Sequence, residues 1–277
     1  TQNINLDYQH EEDQLKNKNE NLSAFLYNRL AFGPAIINFG ARVDSNKYYN
    51  EHVTYKIALM HFFSRFTLKM SYSTGFRAPS LNQLFDPTYG NKNLKPEESQ
   101  TAEAGFDVPV GDKLKYIGTF FYTDLKNRLS YDPNTFVNQN RGRAKIVGWE
   151  NNFHTDISEE FKNHTTLTWM SARDTTARTK LPRRPNLNIK SSIEYAKNNH
   201  SAEISGDFTG KRADVDNLGN ATLMPSYFIL NLSYSYRVTE NFSTYAKLHN
   251  LLDKDYEEVF GYGTGGRAGT LGLKYDF

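Results

Sequence analysis

A two-residue alternation of apolar and polar side chains runs along this chain from end to end. In "PSYFILNLSYSYR", Phe228, Leu230, Leu232, Tyr234 and Tyr236 share one face, while Asn231, Ser233 and Ser235 share the other. "RFTLKMSYSTGF" sets Phe66, Leu68, Met70, Tyr72 and Phe76 against Thr67, Lys69, Ser71 and Ser73. "TQNINLDYQH" sets Ile4, Leu6 and Tyr8 against Asn3, Asn5, Asp7 and Gln9. In "NLNIKSSIEYA" and "HSAEISGDFTG", Leu187, Ile189, Ile193, Tyr195, Ala202, Ile204 and Phe208 oppose Asn188, Lys190, Ser192, Glu194, Glu203, Ser205 and Asp207. Side chains of a strand point alternately to its two faces, so the pattern predicts β-structure throughout and no helix of note. A soluble sandwich also alternates, but its strands usually run about five or six residues. These run about nine to twelve, the length a tilted strand needs to cross a bilayer. The length favours an all-β, antiparallel transmembrane barrel.

Hydropathy does not oppose that reading. The mean hydropathy of −0.69 and the lack of any apolar run near 18 residues would suggest a soluble chain. A membrane barrel gives the same signal, because only alternate residues face lipid. The net charge of +2 implies no nucleic-acid partner. Cysteine is absent, which removes disulfides and thiolate chemistry.

About fourteen strands are expected, near 2–10, 21–32, 35–44, 52–61, 66–76, 99–109, 113–125, 144–156, 163–172, 186–196, 200–210, 226–236, 241–249 and 268–277. Their connections alternate in size. Short ones fall at "GP", "FSR", "GDK", "EEFK", "NN" and "VTEN"; long ones fall at 11–20, 45–51, 77–98, 126–143, 173–185, 211–225 and 250–267. Outer-membrane barrels have short periplasmic turns and long extracellular loops. Parity from a periplasmic C-terminus then places every long connection outside, with Arg141, Arg178 and Tyr256, and every short one inside, with Asp112, Glu159 and Glu240. In the closing "TLGLKYDF", Leu271, Leu273, Tyr275 and Phe277 are expected to face lipid, and Gly272, Lys274 and Asp276 the lumen. Gly263, Gly265 and Gly266 are expected to turn the last loop back into that strand.

The closing strand resembles the C-terminal signal by which bacterial outer-membrane proteins are recognised. Gly272, Leu273, Tyr275 and Phe277 are its expected carriers, which implies the barrel-assembly machinery as a partner. Five ordered motifs carry a more specific resemblance: "SYSTGFRAPSLNQLF" (71–85), "GNKNLKPEESQTAEAGF" (90–106), "NRGRAKIVGWE" (140–150), "LPRRP" (181–185) and "LHNLLDKDYEEVFGYGTGGR" (248–267). Together they resemble the C-terminal barrel part of the TonB-dependent outer-membrane receptors. The "DKDYEEVFGY" wording is most similar to the cobalamin (vitamin B-twelve) receptors.

The resemblance implies a bacterial outer-membrane location, lipid contact all round, and about twenty-two strands in a full barrel. It also implies an N-terminal plug domain and a TonB box, through which a TonB-type energy-transducing complex acts. Neither is found in residues 1–277, so the chain is expected to be the C-terminal portion of such a barrel; a natural plug-less barrel is the other reading.

No catalytic constellation is expected. His10, His52, His61, His154, His164, His200 and His249 are scattered, and no nucleophile elbow, HExxH or calcium-loop spacing occurs. No cofactor and no resident metal are expected. The lumen-facing Lys190, Glu194, Glu203, Asp207, Lys274 and Asp276 read as a hydrated wall. Aromatic rings give large rigid contact area at low entropic cost. Phe85, Tyr89, Tyr131, Tyr256, Phe260 and Tyr262, in three long loops, are therefore the expected contacts for a bulky small-molecule metal complex. Arg143 and Arg267 flank two of those loops and could grip its phosphate or carboxylate. The same rings would also suit an interfacial girdle. The expected function is active uptake of a scarce nutrient such as cobalamin, a siderophore or haem; a passive porin is the alternative.

Overall fold

A computed structural model describes residues 3–12, 18–132, 135–216 and 219–277, with side chains from residue 19 onward. Fourteen long strands form one antiparallel path in chain order. They are β1 (Asn3–Glu12), β2 (Lys18–Phe32), β3 (Ala35–Asn46), β4 (Asn50–Phe62), β5 (Thr67–Arg77), β6 (Glu97–Val110) and β7 (Leu114–Lys126). After a long connection follow β8 (Ala144–Asp156), β9 (Phe161–Asp174), β10 (Leu187–Lys197), β11 (His200–Thr209), β12 (Tyr227–Arg237), β13 (Phe242–His249) and β14 (Ala268–Tyr275). Every expected strand is present. Gly33 (φ 53°), Gly111 (φ 63°) and Asn198 (φ 53°) supply the left-handed residues of three tight turns, conformations that cost glycine and asparagine least.

The long connections differ from expectation. Three hold paired strands of their own: Leu129–Asp132 with Val137–Asn140, Arg212–Val215 with Ala221–Met224, and Glu257–Val259 with Tyr262–Gly263. A single helical turn, α1 (Leu81–Phe85), sits in a fourth. It is too short to show a helical period. A reciprocal cap defines it, in which Ser80 Oγ accepts from the Gln83 amide and Gln83 Oε1 accepts from the Ser80 amide, both at 3.1 Å. The last loop turns at Gly261 (φ 78°), and Gly263, Gly265 and Gly266 keep negative φ. The expectation that those three make the turn is corrected accordingly.

The chain divides into two compact units. The first comprises 1–106, 120–147 and 173–179. Its strand register aligns Leu30, Ile37, Leu59 and Met70 in one row, Phe39, Ile57 and Tyr72 in a second, and Val43 with Val53 in a third. Val53 is 66% exposed and Ile57 51%, although such side chains gain about 1.5–3 kcal/mol each on leaving water. The opposite face of the same strands is polar. There the Arg42 guanidinium donates to Asp44 (2.8 Å) and Ser23 (2.6 Å), and Asn21 donates to Asp44 (3.1 Å). The backbone register sets Ile4, Leu6 and Tyr8 opposite Leu26, Ala24 and Leu22; their side chains lie outside the described residues.

The second unit comprises 107–119, 148–172 and 180–277. Ile193, Ile204, Leu232 and Leu248 make one apolar row, and Tyr195, Ala202, Tyr234, Ala246 and Leu271 the next. Leu271 is 86% exposed. Between them on the other face run Glu194, Glu203, Ser233, Lys247 and Thr270. Among the described residues, most of the buried apolar side chains lie off the sheet: Leu81, Leu84, Leu94, Leu181 and Met224 belong to the long connections. In each unit the sheet leaves its apolar face exposed, and among the described residues most buried apolar side chains are in the loops.

Two glycines are covered by cross-strand aromatic rings. A Cβ at Gly206 would meet the Phe228 ring at 2.8 Å on the apolar face, and one at Gly272 would overlap the Tyr245 ring on the polar face. Each ring fills the space that its glycine leaves.

Two measurements test this packing. Leu232→Arg should destabilise the protein by roughly 2–4 kcal/mol if it sits near the bilayer midplane, and Ser233→Arg far less, in reversible unfolding in lipid. Equal losses would refute the face assignment. Gly272→Ala should lower the amount of heat-modifiable, assembled protein, and adding Tyr245→Ala should recover part of it; an additive double mutant would show that the two positions do not interact.

Candidate functional site

The long connections form a knit cluster in each unit. In the first unit, asparagines do most of the joining. The Tyr89 carbonyl accepts from both the Asn138 amide (2.8 Å) and its Nδ2 (2.9 Å), while Asn91 Nδ2 returns a bond to the Asn138 carbonyl (2.8 Å). Asn140 pairs reciprocally with the Lys95 backbone, at 2.7 Å in both directions. Glu97 joins two more segments, accepting from Arg77 Nε (2.7 Å) and the Leu129 amide (2.6 Å). Asp132, 1% exposed, is paired with Arg141 at 2.9 Å. Above this frame the hairpin tip presents Tyr131 (50% exposed) and Phe136 (65%). Phe136 has φ 59°, an uncommon and strained setting for a bulky residue.

In the second unit a buried carboxylate holds three loops together. Asp214 accepts from Arg183 Nε (3.0 Å) and from the amides of Phe260 and Val215 (both 2.9 Å). Burial alone would push its pKa up, but those three donors more than offset it and hold the carboxyl below its ordinary value. Arg212 is also buried, donates to the carbonyls of Glu257, Glu258 (3.3 Å) and Pro225 (3.2 Å), and lies over the Tyr227 ring at 5.3 Å. Tyr227 in turn packs on Tyr256, with ring centroids 4.5 Å apart. Beside that pair opens a recess of about 370 Å³ lined by Met224, Pro225, Tyr227, Lys254, Tyr256 and Thr264.

Comparison with known proteins decides the family. The family model described as "TonB dependent receptor-like, beta-barrel" matches residues 2–251. The chain belongs to the TonB-dependent receptors. It is similar to the vitamin B12 transporter BtuB of Vibrio cholerae, at 31% identity over 263 residues, covering 93% of this chain and 42% of that protein. In fold it resembles a mutant of the ferric enterobactin receptor PfeA of Pseudomonas aeruginosa (20% identity, TM-score 0.82, 94% of this chain and 45% of that one). It also resembles the copper transporter OprC (19% identity, TM-score 0.82, 94% and 48%). The chain thus spans less than half the length of these relatives. The family is one of outer-membrane transport receptors, not enzymes, so the exposed apolar face of the sheet is the lipid face and the polar face the inner one.

The receptor distributes the expected ligand residues unevenly. Tyr131 and Tyr262, the latter 70% exposed, stand out from their loops. Phe85 and Tyr89 are half-buried. The Phe85 ring meets Tyr48 edge-on at 5.1 Å, and Tyr89 Oη accepts from Asn82 (3.0 Å). Tyr256 is held by Tyr227, and Phe260 lends its amide to Asp214. Arg143 lies against Asp124 with two hydrogen bonds, one of 2.7 Å, made by Nε and Nη2, and its side chain is about half exposed. Arg267 has an exposed side chain, and its amide is fixed by Asp253 (2.8 Å). Phe136 is the exposed aromatic that sequence reasoning passed over. A ring two residues beyond "DPN" at a hairpin tip was the available signal.

The depressed carboxyl sets a pH expectation. A folded pKa below the unfolded one means that Asp214 stabilises the loops fully above about pH 3.9 and loses that contribution as pH falls further. Pepsin should therefore cut within 211–225 and 250–267 increasingly below about pH 3.9, while Asp214→Asn should be cut to the same extent at every pH in that range. Equal pH dependence in both proteins would remove Asp214 as the tie.

Proposed function

We propose that this chain supplies barrel wall and outer loops to an active receptor that takes up cobalamin or a related bulky metal complex, such as a siderophore complex or haem. The observation that carries the reading is the 31% identity to a vitamin B12 transporter sustained along 93% of the chain. The loop chemistry agrees. Tyr131, Phe136 and Tyr262 expose rings at the end of the sheet where the long connections lie, the end that parity assigns to the cell exterior. They rise from hydrogen-bonded frames, so ordering them costs little on binding. A TonB-type complex supplies the energy through an N-terminal plug, and the barrel-assembly machinery inserts the protein by its closing Gly272, Leu273, Tyr275 and Phe277.

Cells deleted for the receptor and complemented with the full gene should regain uptake of labelled cobalamin only when TonB is present. Alanine at Tyr131, Phe136 or Tyr262 should weaken apparent affinity by about five- to fifteen-fold, the loss of about 1–1.5 kcal/mol of ring contact, at unchanged receptor abundance. Uptake of haem or a ferric siderophore in place of cobalamin would reassign the cargo. Uptake without TonB would overturn the active mechanism.

A further inference from the structure

His154 and His164 meet on the inner face of the wall. They lie on β8 and β9, either side of the short turn 157–160, with Nε2 atoms 3.2 Å apart and ring centroids 3.7 Å apart. Their neighbours fix the placement. Thr166 donates to Asn152 (2.7 Å) one step along the strands, and Lys162 faces Asp156 (4.0 Å) one step the other way. Across the next strand the register sets His164 beside Ser192, in the row that continues to Ser205 and Asn231. His164 is exposed and His154 half-buried, so the pair is open to water inside the barrel.

Two imidazoles this close cannot both be protonated without repulsion, and the neutral ring is the form that binds metal. The two Nε2 atoms stand within hydrogen-bond distance, and the tautomers decide which ring donates. Two imidazole nitrogens at about 2.0–2.1 Å from an ion, subtending roughly 100° at it, are about 3.2 Å apart. That is the separation already present.

We propose that His154 and His164 form an inner-wall binding site for a divalent transition-metal ion of the imidazole-preferring class, Cu²⁺ foremost. Binding moves the shared Nε2 proton to Nδ1 of the same ring by way of water, so that both rings stay neutral and each offers an Nε2 lone pair. A turn about the side-chain torsions then aims both lone pairs at one ion, and water fills its remaining positions. The cations nearby are countered, Lys115 by Asp107 (3.7 Å) and Lys162 by Asp156. The hard ions Ca²⁺ and Mg²⁺ prefer oxygen donors and should not compete.

The test is Cu²⁺ titration of the intact receptor in detergent, followed by electron paramagnetic resonance. The wild type should show coupling to two imidazole nitrogens, unaffected by excess Ca²⁺. His154→Gln and His164→Gln should each lose that coupling and bind at least about tenfold more weakly, with His61→Gln as a control that changes nothing. If the Gln variants fail to assemble, diethylpyrocarbonate labelling of the wild type replaces them, and Cu²⁺ should protect His154 and His164 selectively. Unchanged binding in both variants, or labelling of the two rings unaffected by Cu²⁺, would overturn the site.

Discussion

A backbone amide or carbonyl left unpaired in hydrocarbon costs several kcal/mol, and no water is present to relieve it. That constraint forces each strand to pair along its whole transmembrane length, and it explains the continuity of the registers. From β2 to β3, twelve residue pairs run without a break from Asn21–Asn46 to Phe32–Ala35. Pairing that is continuous also fixes which residues share a face, because a one-residue slip would move Val53 and Ile57 inward and Asp44 and Arg42 into lipid. The alternation in the sequence and the unbroken ladder are thus one fact seen twice.

Moving the apolar surface outward leaves the protein needing cores elsewhere. The two loop clusters provide them on a small scale, with Leu81, Leu84 and Leu94 in one and Leu181 and Met224 in the other. Polar ties add to them. Asp132 and Asp214 are almost wholly shielded from solvent, yet each carries a guanidinium partner, and Asp214 also accepts two backbone amides. A buried carboxylate left without such partners would be severely destabilising, so these pairs specify one loop arrangement rather than merely adding stability.

The strands were legible because a period of two is a local signal that survives any tertiary context. The fourteen segments and the short turns between them, the Asn198-Asn199 one included, followed from it. The loops were not legible in the same way. The hairpin Arg212–Val215 with Ala221–Met224 is held by bonds to Arg183 and Phe260, far off in sequence, and no window of neighbouring residues contains that information. Two loop asparagines show the same limit. Asn138 and Asn140 read as polar loop residues, whereas their amides join segments about 45 residues apart. Arg143 was expected to face a ligand because a flanking arginine is a natural anion clamp. The fold adds Asp124 as a neighbour on one side of it, which the sequence did not show.

These ties bear on how such a loop surface can work. A receptor for a dilute nutrient gains nothing from loops that must be ordered at each encounter, since that ordering is subtracted from affinity. Here the side chains that lock the loops and the side chains that stand free are different residues. In the first unit Asn138 and Glu97 are consumed by the frame while Tyr131 and Phe136 carry exposed rings; in the second Asp214 and Arg212 are consumed while Tyr262 is exposed. The strained φ of Phe136 belongs to the same division of labour, because a bulky residue holds a left-handed backbone only where its surroundings impose it. The strain is the cost of keeping that ring facing solvent, and it fits the ligand contact proposed for the loops.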